Sequence, residues 1–177
     1  MGNLENEVIR LRALEPEDLE SLYEWENNDL FWADGNSIAP YSRFVLRQYI
    51  EQQSLDIYSL KQLRLMIELK GERKPIGTID LFDFDPYHSR AGVGILVDAR
   101  YQSKGYATQA LFLLCNYAFR LLKLHQLYCH VNERNEASIR LFQKAGFVEC
   151  GCLKSWSKDE NGWQDCLIFQ KIADSKS

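Results

Sequence analysis

Residues 102–107 read Gln102-Ser103-Lys104-Gly105-Tyr106-Ala107, between an apolar run, Ala91–Val97 (AGVGILV), and a long helical stretch, Gly105–Leu122. A strand entering a helix through a Gly-bearing turn offers successive backbone N–H groups at the helix N-terminus, a cradle for an anion. Gly105 allows close approach and Lys104 adds positive charge, so a phosphate or pyrophosphate is the natural guest; an ordinary loop-to-helix junction is the competing reading. Other phosphate motifs fail. There is no G-x-x-x-x-G-K-[ST], and Gly92-Val93-Gly94 lacks the third glycine of a dinucleotide fingerprint and lies inside its strand.

Outward from this junction the pattern is regular. In the helix, Ala107, Ala110, Leu111, Leu114, Tyr117, Ala118 and Leu121 form one stripe, widened by Phe112, Leu113, Cys115 and Phe119, which implies burial against a sheet. Upstream, Val8–Leu14 is strand-like, Pro16-Glu17-Asp18 suits a helix start continuing to about Asn27, and Ser42 caps a helix through Ile50. Leu63, Leu65, Ile67 and Leu69 alternate with polar or flexible neighbours as a strand; Gly71–Pro75 turns into a second strand, Ile76–Phe84, followed by a polar loop, Asp85–Arg90. The two glycines inside Ala91–Val97 signal a bulge or a close backbone approach.

Downstream, Leu127–Val131 is a short strand and Asn135–Ala145 a helix, with Asn135 as N-cap and Gly146 as the left-handed C′ residue. On that helix Asn135, Ser138 and Phe142 share one face, while Ala137, Leu141 and Ala145 share another suited to the core. Phe147–Trp156 and Trp163–Ile172 flank Asn161-Gly162 as a hairpin. The order β-α-α-β-β-β-α-β-α-β-β predicts a mixed α/β fold, a largely antiparallel sheet of seven strands flanked by about four helices. With 177 residues and no repeat or Pro/Gly-rich linker, residues 1–177 read as a single domain.

Composition narrows the function classes. The chain is 46% hydrophobic and 26% charged, ordinary globular usage, and no apolar run approaches the ~20 residues of a membrane helix. The start, MGNLENEVIRLR, has no basic region followed by an apolar stretch, so the expectation is a cytoplasmic protein with no membrane partner. Five scattered cysteines without a C-x-x-C pair predict neither a disulfide framework nor a zinc site. His88, His125 and His130 form no i,i+4 pair, so structural burial or weak exposure is expected of them and no metal is indicated. A net charge of −4 argues against a nucleic-acid partner. Residues 1–34 hold ten acids and two bases, while residues 35–177 hold fifteen acids and nineteen bases. The acidic part could draw a cation and the basic part an anion, or the first could simply be a solvated helix.

Together, Gln102–Ala107 and the later run Val131-Asn132-Glu133-Arg134-Asn135-Glu136-Ala137-Ser138, followed by Phe142-Gln143-Lys144-Ala145-Gly146-Phe147, resemble the Gcn5-related N-acetyltransferase (GNAT) family. The first matches that family's Q/R-x-x-G-x-G/A motif, and the element order agrees over roughly residues 8–172. The start Leu11-Arg12-Ala13-Leu14-Glu15-Pro16-Glu17-Asp18-Leu19 is similar to the branch holding spermidine and ribosomal-protein N-terminal acetyltransferases. The resemblance implies a GNAT-like acyl-CoA N-acyltransferase fold and acetyl-CoA as co-substrate. It assigns the pyrophosphate to Gln102, Ser103, Lys104, Gly105, Tyr106, Ala107 and Thr108, and the pantetheine arm to the backbone of Ile95, Leu96 and Val97. Asn135, Ser138 and Phe142, with Lys144 in the same motif, flank the arm from the other side. A homodimer is common among similar proteins.

Two of the family's usual titrating groups are missing. By the same resemblance, many relatives carry a Tyr acting as acid where this chain has Phe142, and often a Glu where it has Gly92. Direct attack of an amine on a thioester needs the ammonium, pKa ~10.4, to lose a proton, whereas a thiol of pKa ~8.5 leaves tolerably unaided. The remaining candidates are Asp80, Asp83 and His88, with Asp83 preferred over His88 as the catalytic group; each could equally be a solvated loop or strand residue. For the acceptor, Glu24, Glu26, Asp29 and Asp34 favour a cationic amine, whether a polyamine or a peptide N-terminus, and Trp25, Phe31 and Trp32 could pack on its chain. The second reading is an acyl-CoA-binding protein whose catalysis is weak or lost.

Overall fold

The computed structural model describes residues 4–28 and 39–174. Seven strands form one sheet in the order β1-β2-β3-β4-β5-β7-β6: β1 Ile9–Arg12, β2 Leu63–Leu69, β3 Lys74–Asp85, β4 Arg90–Val97, β5 Gln126–Asn132, β6 Val148–Asp159 and β7 Gly162–Ile172. Every neighbouring pair is antiparallel except β4 and β5. That parallel pair needs a crossover, which the long helix α4 (Tyr106–Arg120) supplies. The other helices are α1 (Leu19–Glu26), α2 (Arg43–Gln52), α3 (Ile57–Leu60) and α5 (Glu136–Lys144).

Apolar alternation sorts the helices onto two faces. Ala110, Leu111, Leu114, Cys115 and Ala118 of α4 are buried against Ile67, Leu81, Val93, Leu127 and Phe169. On the opposite face Leu22 and Trp25 of α1 and Leu46 and Ile50 of α2 close over Met66 in a smaller core. Each fully buried aliphatic side chain contributes roughly 1.5–3 kcal/mol, so the larger cluster dominates stability.

The expected caps are present. Ser42 Oγ accepts from the Val45 N–H at 3.2 Å, and Asn135 Oδ1 from the Ser138 N–H at 3.0 Å. Gly146 takes φ 86° after α5. Other details differ from the sequence reading. Pro16–Asp18 is a separate 3-10 turn, because Asp18 is drawn inward: Arg12 grips both of its oxygens, at 2.7 and 2.9 Å, and also binds Glu68. The four-residue α3 was not foreseen, since so short a segment shows no periodicity; Asp56 caps it, accepting from the N–H groups of Tyr58 and Ser59. β3 continues to Asp85 through a bulge at Asp83, whose φ is 48°, and β6 runs on to Asp159.

One buried carboxylate fixes the α1 lobe beside the end of β4. Asp98, 5% exposed, accepts from the Trp25 indole N–H at 2.9 Å and from the Arg100 Nε at 2.9 Å. The Arg100 hydrogen bonds hold its carboxyl well below the usual carboxylate range, with the indole adding to the effect. A depressed folded-state pKa contributes stability above the unfolded value of about 3.9 that is lost as pH falls below it. Asp98→Asn is therefore expected to lower unfolding stability at pH 7 by about 2 kcal/mol, the scale of charge-assisted hydrogen bonds, and the deficit to shrink below about pH 4. Urea melts of both proteins at pH 7 and pH 3 check this.

Candidate active site

The parallel pairing of β4 with β5 spans Arg90↔Gln126, Ala91↔Leu127 and Gly92↔Tyr128, and then stops. Beyond it the strands diverge. Val93–Val97 on one side and His130–Asn132 on the other wall a cleft of about 750 Å³. β4 stays paired with β3 along this length, so its other edge presents backbone polar groups to the cleft that need a partner.

The Gln102–Thr108 segment closes one end. Gln102 ties the loop to β4, its Nε2 donating to the Val97 carbonyl at 2.9 Å, which in turn removes that carbonyl from the edge open to a ligand. Gly105 takes φ 81° as the residue preceding α4, and no side chain caps the helix. The first-turn N–H groups of a helix lack intrahelical partners, so an uncapped start is suited to an anion. Gly105, Tyr106, Ala107 and Thr108 all line the cleft. Lys104 does not: its Nζ lies 5.3 Å from the centre of the Tyr101 ring.

α5 forms the facing wall with Asn135, Ser138, Phe142 and Lys144. Of the fourteen residues expected at the cofactor, all but Lys104 line this cleft. The two helix faces are not divided as the spacing predicted. Phe142, at 3% exposure, packs edge-to-face on Phe147 at 5.1 Å, whereas Ala137 is exposed at the cleft. A phenyl ring gains far more from burial than a methyl group, so the helix turns its aromatic inward.

The place of the missing Glu is filled. A Cβ on Gly92 would lie 2.3 Å from the Phe82 ring, which packs edge-to-face on Tyr128 at 6.0 Å. Two pairs further along, Asp80 sits opposite Gly94 and is 9% exposed. Burial pushes its carboxyl above the ordinary value although the Arg64 guanidinium, 3.6 Å away, pulls it down. Arg64 also binds Glu26 at 2.8 Å.

A second cleft, of about 590 Å³, lies on the sheet face away from α4 and is walled by Asp83, Asp85, Arg90, Tyr128, His130 and residues of β6 and β7. The bulge places Asp83 in this wall. His88 is in the turn after β3, where its Nδ1 is 2.8 Å from Asp85 Oδ2 and its ring meets Tyr87; it lines neither cleft. Of the acceptor candidates, Glu24 pairs with Arg100 at 3.2 Å and Glu26 with Arg64, and neither lines a cleft. Trp32, with Asp29, Phe31 and Asp34, lies outside the described residues. His130 was passed over as a merely structural histidine, yet it lines both clefts. The alternation of β5 held the signal: Leu127, Cys129 and Val131 are buried, which sends Tyr128 and His130 to the other face. Among the described residues no group of three or more His, Cys, Asp or Glu could hold a metal ion, and no helix is long and apolar enough to cross a membrane.

A split sheet with an uncapped helix start at the mouth of its cleft defines an acyl-CoA transferase architecture. Residues 9–148 match the acetyltransferase (GNAT) domain family. The chain is 32% identical over 142 residues to the spermidine N(1)-acetyltransferase of Escherichia coli, covering 78% of this chain and 72% of that one. It is 29% identical over 174 residues to a putative ribosomal N-acetyltransferase of Bacillus subtilis, covering 94% and 92%. The crystal structure of spermidine N-acetyltransferase from Vibrio cholerae in complex with CoA and spermine superposes with a TM-score of 0.86 at 26% identity, covering 94% and 96%. This chain belongs to the GNAT acetyltransferase family, and its activity is acetyl transfer from acetyl-CoA to an amine.

Two outcomes are expected. Gly92→Ala should cost about 1–3 kcal/mol by overpacking against the Phe82 ring, and Phe82→Ala in the same chain should offset that clash in a double-mutant cycle followed by thermal melts. Gly105→Val meets no neighbour within 4 Å, yet φ 81° is strained for a β-branched residue. A folded Gly105→Val protein should bind CoA at least about tenfold more weakly by calorimetry, roughly 1.4 kcal/mol.

Proposed function

We propose that this acetyltransferase acts on a polyamine, held in the second cleft while acetyl-CoA occupies the first. The observation that carries the reading is that the two clefts share a lining residue, His130, just past the last β4–β5 pair, with Asp83 on the wall of the second. In support, the E. coli relative is a spermidine acetyltransferase, and the V. cholerae structure holds CoA and spermine. The pyrophosphate rests on the N–H groups of Gly105–Thr108, with Lys104 at the rim. The pantetheine arm lies along Ile95–Val97 like an added strand. Asn135, Ser138, Phe142 and Lys144 close over it. Asp83 attracts the cationic acceptor, and the amine attacks the thioester directly. The reaction takes place in the cytoplasm, by a chain that acts as a homodimer.

Phe142 and the filled slot at Gly92 favour a second reading, an acyl-CoA-binding protein with weak catalysis. Free-thiol release from acetyl-CoA across spermidine, spermine, amino-acid amides and short peptides separates the two. Turnover with the polyamines, at the highest kcat/KM of the panel, is the expected result; turnover confined to peptides would replace the acceptor, and CoA binding without any turnover would establish the binding protein. Phe142→Ala should lose about 3–5 kcal/mol of stability and weaken CoA binding, because it empties a packed site beside the arm. Phe142→Tyr should raise turnover less than about tenfold, since a thiol of pKa ~8.5 needs little help from an acid in order to leave.

A further inference from the structure

Among the described residues His130 is the one side chain that lines both clefts. Its position follows from the chain. β4 and β5 close at Gly92↔Tyr128, and His130 is the next residue of β5 on the same face, the first beyond the fork. A strand rises about 3.3 Å per residue, so an arm laid along β4 from Val97 to Val93 spans roughly 13 Å and ends at this fork. The thioester therefore arrives beside the imidazole. An amine in the second cleft reaches it across the same wall.

The other titratable candidates are placed elsewhere. Asp80 is buried against Arg64 and Gln62, behind the backbone of Gly94. Asp83 lines the second cleft alone, and His88 lines neither. The positions at which relatives carry Glu and Tyr are occupied here by a glycine under a phenyl ring and by a buried Phe142. Imidazole is the side chain best suited to take up and return a proton near neutral pH.

We propose that His130 is the catalytic proton carrier of this acetyltransferase, a role that rests on acetyl-CoA lying along β4 as described above but not on the acceptor being a polyamine. Neutral His130 takes one proton from the acceptor ammonium. The freed amine attacks the thioester carbonyl, the N–C bond forms and the C–S bond breaks. The imidazolium returns its proton to the departing thiolate, giving CoA thiol, and the second proton lost by the nitrogen as the amide forms passes to water.

Charged and titratable groups face His130 from several elements. On its own strand Tyr128 is the ring neighbour, at 5.8 Å. Across the second cleft are Asp83 and Asp85 of β3, Arg90 of β4 and Cys150 of β6. Across the first are Arg140 and Lys144 of α5. Carboxylates on one side and cations on the other leave the ring between opposing fields.

The test compares parent, His130→Gln and His130→Ala, using the best amine of the panel, with steady-state rates from pH 7 to pH 9 and CoA calorimetry for each protein. At pH 7 both variants should lose about 100-fold or more in kcat, the usual scale of general acid–base assistance, while binding CoA within twofold of the parent. Without its base a variant depends on free amine, whose fraction rises about tenfold per pH unit below pKa ~10.4, so the deficit should nearly close by pH 9. A deficit constant with pH would mean a structural effect, and a loss under threefold at pH 7 would mean that another group carries the proton; either result overturns the proposal, as does loss of CoA binding by both variants. If the parent ignores polyamines but turns over another amine, the acceptor reading fails and His130 is tested on that amine. A parent with no turnover at all overturns both.

Discussion

Everything in the site depends on three residue pairs. β4 and β5 are the one parallel pair of the sheet, and their ladder ends after Gly92↔Tyr128. An antiparallel hairpin is tied at one end by its turn; a parallel pair joined through α4 has no such turn, so its strands pair at their starts and part toward their ends. The parting exposes one edge of β4, and an unpaired edge inside a protein demands hydrogen-bond partners. In the binding mode proposed above, the pantetheine arm answers that demand. The same divergence brings the helix starts of α4 and α5 to opposite sides of one opening.

Charged groups at low exposure hold the lobe that faces this opening. Arg12 joins Asp18 to Glu68, Asp98 joins Trp25 to Arg100, and Arg64 joins Glu26 of α1 to Asp80 of β3. Buried ion pairs return little net stability, because desolvation offsets their attraction, but breaking one leaves an unpaired charge. Their effect here is positional: each has one partner on or beside the α1 lobe and another on the sheet or the segment that follows β4. Two carboxylates that the sequence offered to a cationic acceptor are engaged within the protein, Glu24 by Arg100 and Glu26 by Arg64.

Phenyl rings occupy the two places where the family resemblance leads one to expect titrating groups. Phe82 covers the missing side chain of Gly92, and Phe142 packs on Phe147. Because the proposed cofactor cradle is mostly backbone, such replacements leave it intact: N–H groups at an uncapped helix start do not depend on which side chains surround them. Acid–base chemistry has no such protection, since it needs one group at one point.

Local chemistry was legible in the sequence. The helix caps at Ser42 and Asn135, the left-handed Gly146, the Asn161-Gly162 hairpin, the buried stripe of α4 and the glycine turn at its start all follow from interactions within a few residues, which the order of side chains specifies directly. So did the element order, and with it the fold. What only the tertiary structure decided are the features set by distant partners. Asp18 reads as an N-terminal helix acid until Arg12 and Glu68 draw it inward. Gly92 reads as a bulge until Phe82, ten residues away, is seen above it. His130 reads as a lone histidine until the ladder beside it stops. The sequence carries the period that puts His130 on an open face, but the end of a strand pairing is a property of two strands and a crossover, and no local pattern records it.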